Sequence, residues 1–82
     1  MAEGALGEIV FATVVEMTEE RRTRDIVPEH PLLLPLRGRL RSKGLPLTKL
    51  EVMRVVEELR IVGMVTVGRT INDNYIEIVG PR

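Results

Sequence analysis

Four cations stand at alternate positions in one short stretch: Arg37, Arg39, Arg41 and Lys43, inside "LLLPLRGRLRSKG". On a helix, Arg37 and Arg41 stack at i and i+4, and Arg39 and Lys43 form a second such pair. Side chains of this type and density suit an anionic partner. The alternative is a solubilising surface, with the cations paired to glutamates elsewhere in the chain. Little else in the sequence is suited to chemistry. There are no cysteines, so disulfides, thiolate metal sites and cysteine nucleophiles are excluded. His30 is the only histidine and follows Glu29 in a proline-rich stretch. Without a clustered carboxylate set it is poor material for a metal site or a catalytic base, and it reads as a solvated loop residue. The glycine-rich patterns that cradle phosphates in nucleotide-binding proteins are absent. The expectation is a protein that is not an enzyme, with no metal and no small-molecule cofactor.

At 82 residues the chain has the length of one domain, 1–82. Apolar residues make up 44% and charged residues 29%, which places it among ordinary globular proteins rather than disordered ones. With one Phe, one Tyr and no Trp, the core must be aliphatic. No segment approaches the ~18 consecutive apolar residues of a membrane span. The opening "MAEGALGEIVFATVVEM" lacks a basic start and is interrupted by glutamates, unlike a signal peptide. With the lack of cysteine, this makes a reducing cytoplasm the expected location. Net charge is zero but unevenly spread: residues 1–20 carry five Glu and no cation, and residues 21–43 carry seven Lys/Arg against Asp25 and Glu29. Neutrality argues against a strong nonspecific grip on nucleic acid, while the basic middle leaves room for a local patch.

The elements that must position these side chains follow from periodicity. Leu6, Ile9, Val10, Thr13, Val14 and Met17 form one stripe of a helix over about 5–20, flanked by Phe11 and Val15. Arg21 and Arg22 then sit near its negative pole. Pro28, Pro31 and Pro35 mark a connection over about 23–32, with at most a short strand near Ile26. A second helix over about 33–43 buries Leu33, Leu36 and Leu40, accepts Pro35 in its first turn, and ends at Gly44. Thr48 caps a third helix over about 49–62, whose inner side holds Val52, Val55, Val56, Leu59 and Val62. Its outer side holds Arg54, Glu57 and Glu58 with two apolar residues, Leu50 and Ile61. After Gly63 the pattern alternates as a hairpin over about 64–79, with "NDN" at its turn and Gly68 as a candidate bulge. "GPR" closes the chain as a tail. The fold class is therefore α+β, mainly α: a three-helix helix-turn-helix core followed by a two-stranded β-hairpin wing.

That order resembles the winged-helix family of helix-turn-helix domains, over roughly Leu6 to Val79. The segment "VVEELRIVGMVTV" carries most of the likeness, because a helix there ends at a glycine and leads directly into the wing. The resemblance implies a small cytoplasmic protein that binds double-stranded DNA as a homodimer and acts in transcription regulation or a related DNA transaction. Under it Arg37, Arg39, Arg41 and Lys43 hold phosphates, Thr48, Lys49 and Arg54 lie over the groove, and Arg69 sits on the wing. This chain departs from DNA-reading members in three respects: the connection between the first two helices is long and proline-rich, the wing has one cation, Arg69, against Asp73, and the recognition helix carries no net charge. Lys49, Arg54 and Arg60 are balanced by Glu51, Glu57 and Glu58 on the recognition helix. The competing expectation keeps the fold and makes the protein an adaptor that does not bind DNA, docking through the third helix with Leu50 and Ile61. The arc around Phe11 and Val15 on the first helix is another candidate contact, since members of the family often pair through terminal helices. Reversing Arg37 and Arg41 to Glu is expected to abolish duplex binding in an anisotropy titration while leaving the thermal midpoint nearly unchanged.

Overall fold

In the computed structural model, which describes residues 2–79 with side chains from Ala5 onward, the elements run α1 (Ala2–Thr23), α2 (Leu33–Ser42), α3 (Lys49–Ile61), β1 (Val65–Arg69) and β2 (Asn74–Ile78). Three helices ahead of an antiparallel hairpin give the expected fold class, α+β and mainly α. The tail expected at 80–82 lies outside the described residues.

The first helix is longer than its apolar stripe. Val10, Val14 and Met17 are buried from that stripe together with Thr13 and Thr18. Both hydroxyls are satisfied locally: Thr13 donates to the carbonyl of Ile9 at 2.7 Å and Thr18 to that of Val14 at 2.8 Å. Ile9, placed on the stripe by periodicity, lies at its margin and is exposed. The helix continues through Arg21 and Arg22, the cations that suit its negative end. Arg22 bonds Glu29, and Arg21 donates from Nε and Nη2 to the carbonyl of Pro28, so the connection is folded back onto the helix.

The short strand expected near Ile26 is displaced. The extended contact falls instead at Leu32, which bridges to Tyr75, while the carbonyl of Pro31 accepts from the Ile76 amide at 2.9 Å. The segment before α2 thus pairs with the free side of β2. Leu32 cannot cap α2 with its apolar side chain, and the first turn of that helix holds no acid. The cap comes from the hairpin: the Leu34 amide donates to the Asp73 carboxylate at 3.1 Å. Leu33, Leu36 and Leu40 are buried, and Gly44 at φ 88° ends the helix in the left-handed region.

Thr48 caps α3 through a reciprocal pair. Its hydroxyl accepts from the Glu51 amide at 3.1 Å, and the Glu51 carboxylate accepts from the Thr48 amide at 2.8 Å. Val52, Val55, Val56 and Leu59 are buried as expected. Val62 is not, and is 68% exposed. The helix ends at Ile61 and the chain turns through Gly63 at φ 84°, so a projection at 100° per residue no longer applies to Val62.

Along the hairpin, Val65 pairs with Ile78 and Val67 with Ile76, which puts the four apolar side chains on the face turned to the helices. The register runs unbroken from Val65 to Arg69, so Gly68 is not a bulge. It pairs with Tyr75, whose ring occupies the space a Cβ on Gly68 would need. His30 stacks on that ring, with centroids 5.5 Å apart and an interplanar angle of 25°, and its Nε2 lies 4.0 Å from Glu77. The expectation of a solvated loop histidine is therefore corrected: His30 is half-buried against the outer face of the hairpin. Removing the α3 cap with Thr48→Ala is expected to lower the unfolding free energy by about 1 kcal/mol. The measurement is a drop in the urea midpoint at unchanged slope.

Candidate nucleic-acid interface

The four cations of α2 divide into two pairs with different surroundings. Arg39 and Lys43 face α1. Arg39 donates from Nη2 to Glu20 at 2.7 Å and from Nη1 to both Glu16 and Glu20. Lys43 donates from Nζ to Glu16 and to the Thr13 hydroxyl, each at 2.9 Å. The alternative posed by the sequence, pairing with α1 glutamates, holds for these two. They clamp α2 to α1 and are half-covered rather than presented to a partner. Hydrogen bonds from Lys43 and then Arg39 hold the Glu16 carboxyl below its ordinary range, and Arg39 does the same for Glu20. Glu20 and Glu16 in turn raise Arg39.

The other pair points away from α1. Arg37 donates from Nε to the carbonyl of Leu47 at 2.9 Å, bracing the turn between α2 and α3. It is not a simple surface charge: reversing it would disturb that turn as well as any partner. The expectation that the Arg37 and Arg41 reversal leaves the thermal midpoint nearly unchanged is therefore corrected, and Arg41 is the residue of the pair to reverse alone. Arg41 is exposed and joins no ion pair among the described residues.

On α3 the Thr48 hydroxyl and the Glu51 carboxylate are both committed to the cap. Glu51 is held below its ordinary range by the Thr48 amide and hydroxyl. Near the far end of the helix, Arg60 pairs with Glu57 and cancels its charge. Lys49, Arg54 and Arg69 are exposed and in no ion pair among the described residues. The fold brings two of them together. Lys49, at the start of α3, and Arg69, at the end of β1, line one depression of about 330 Å³ with the hairpin turn, Thr70 to Asn74. Asp73 also lines it, but its carboxylate accepts from the amides of Asn74 and Leu34 and lies at the positive end of α2. Arg54 is elsewhere, in a shallow groove with Glu51 and Glu58.

By residue type "NDN" reads only as a turn, whereas its side chains also give this depression its polar lining. No local signal could have revealed the role of Asp73, because its partner Leu34 is 39 residues away.

The apolar candidates also separate. Leu50 and Ile61 are 69% and 68% exposed, so the long connection does not cover them. Phe11 packs against the core, and Val15 lines a polar cavity with His30, Arg22 and Glu77. Neither belongs to a broad open face. An apolar depression of about 230 Å³ instead lies between Gly7 on α1 and Val55, Leu59, Val62 and Met64.

No family model, curated protein or solved structure matches the chain. Among the described residues, no helix is long and apolar enough to cross a membrane, and no group of three or more His, Asp or Glu is placed to hold a metal ion.

The α1–α2 clamp sets a pH dependence. Folded Glu16 and Glu20 have depressed pKa values, so their stabilisation is present above the unfolded carboxylate range and is lost as pH falls through the folded values. The thermal midpoint is expected to fall between about pH 5 and pH 3, around the ordinary Glu value of about 4.3. A Glu16→Gln/Glu20→Gln variant should show a shallower fall over the same range in circular dichroism melts.

Proposed function

We propose that this chain is a winged helix-turn-helix module that binds double-stranded DNA and serves transcription regulation or a related DNA transaction. The observation that carries this reading is the convergence of Lys49 and Arg69 on one polar depression between the start of α3 and the hairpin turn. In a helix-turn-helix domain the N-terminal residues of the recognition helix enter the major groove. A cation there and another on the wing would grip the backbone on either side. Arg41 and Arg54 supply two further exposed cations, whereas Arg39 and Lys43 are withdrawn into the clamp with α1.

Leu50 and Ile61 favour a second reading, in which α3 docks on another protein. Leu50, Arg54, Glu57 and Ile61 share the outward stripe of the helix. The two readings therefore compete for one surface, and a protein bound there would exclude DNA. Under the DNA reading, a homodimer contact falls instead to the apolar depression around Val62 and Met64.

The test is fluorescence anisotropy with a mixed-sequence duplex at 50 and 200 mM salt. Phosphate contacts by Arg41, Lys49, Arg54 and Arg69 give an expected log–log salt slope of about −3.6. Lys49→Glu/Arg69→Glu should abolish binding at 200 mM salt with the thermal midpoint retained. Unchanged binding by that variant overturns the site. Absence of wild-type binding at 50 mM overturns the DNA reading and passes α3 to the adaptor reading, for which Leu50→Asp/Ile61→Asp is the matching variant in a pull-down.

A further inference from the structure

One side chain at the rim of the polar depression does not fit its surroundings. Ile71 stands at the hairpin turn with 98% of its surface in water, among Lys49, Arg69, Asn72 and Asn74. It contributes nothing to the core. The turn that carries it is nevertheless tightly built. The Thr70 amide and hydroxyl both donate to the carbonyl of Asp73 at 2.8 Å, and the Asp73 amide donates back to the Thr70 hydroxyl at 2.9 Å. Asp73 then ties the turn to the first turn of α2 through Leu34. A β-branched side chain with few rotamers is thus held out from a braced apex, and little conformational freedom is lost when it enters an apolar slot.

We propose that Ile71 is a wedge that enters the minor groove of duplex DNA, opens a base step and kinks the duplex. This rests on the DNA reading of the site and adds to it a mode of engagement. Apolar side chains inserted between base steps bend DNA by roughly 20–90°, and the unstacking is offset by contacts that the bend allows. The surroundings of Ile71 supply those contacts. Lys49 and Arg69 are placed for the phosphates on either side of an opened step. The side-chain amides of Asn72 and Asn74 can donate to the adenine N3 and thymine O2 acceptors of the minor-groove floor. An apolar pocket on a protein would match Ile71 alone and leave the two cations facing an apolar rim. A phosphate-lined groove matches all of them.

The preferred site is a flexible pyrimidine–purine step such as TA, which unstacks most easily. The experiment uses a short duplex with one central TA step and a donor and acceptor dye at its ends, titrated with wild-type protein and with Ile71→Ala. Because Ile71 is almost wholly exposed, the substitution leaves the fold intact, and the thermal midpoint serves as the control. Wild-type protein is expected to raise energy transfer on binding. Ile71→Ala is expected to bind with an unchanged salt slope and to lose that rise, while Ile71→Leu keeps it. Equal energy transfer with wild type and Ile71→Ala overturns the wedge and leaves the DNA reading standing. So does wild-type binding with no change in transfer. No salt-sensitive binding by wild-type protein at 50 mM overturns the DNA reading and the wedge with it.

Discussion

Leu33, Leu36 and Leu40 are essentially without solvent, although they belong to a helix of only ten residues. A helix that short is marginal by itself in water, so α2 exists because its three leucines are buried against the rest of the chain. The dependence is mutual. Each such leucine truncated to alanine removes about 2–5 kcal/mol, a large share of the roughly 5–15 kcal/mol that holds a small domain together. The direction of α3 follows from α2 through the tight passage at Gly44 and the brace from Arg37 to Leu47. The wing turn is set by it as well, because Asp73 supplies the cap that Leu32 cannot. The spacing between Lys49 and Arg69 is therefore a product of α2 packing, though neither residue lies on α2.

The outer surface of the same helix divides its charge. A stripe buried toward the core leaves two flanks, and the flank nearer α1 meets the acidic side of that helix. Arg39 and Lys43 are consumed there by Glu16 and Glu20. A cation engaged with carboxylates has less to gain from a phosphate, since it must first give up its partner. The chain's zero net charge thus conceals an internal cancellation on this flank, while Arg41, Lys49, Arg54 and Arg69 stay outside any ion pair among the described residues. A partner that recognises them does so through placement rather than through a broad field.

The fold was legible where local chemistry decides. Gly44, Gly63 and Thr48 mark helix ends because only certain residues suit a left-handed or capping position, and all three do so. The leucine and valine stripes were legible for the same reason: burial follows period. The errors arose where distant residues decide. Val62 was projected along a helix that had already ended. Gly68 resembled a bulge, but its lack of a side chain serves the Tyr75 ring across the ladder. The extended contact moved from Ile26 to Leu32 because β2 determines where its neighbour pairs. The site was legible in part. Type and position single out Lys49 and Arg69, but their meeting depends on where the hairpin packs. The type and spacing of Arg39 and Lys43 do not show that Glu16 and Glu20 lie across the helix interface.

Tyr75 is the chain's sole tyrosine, and there is no tryptophan. Its ring lies over Gly68 and under His30, on the hairpin face turned away from the helices. Nearly all near-ultraviolet absorbance and emission of the protein therefore come from one fluorophore on the wing, while the far-ultraviolet signal is dominated by the helices. The molecule carries separate optical labels for its two halves without any dye. Coincident transitions in the two would mean that wing and helical core melt as one cooperative unit.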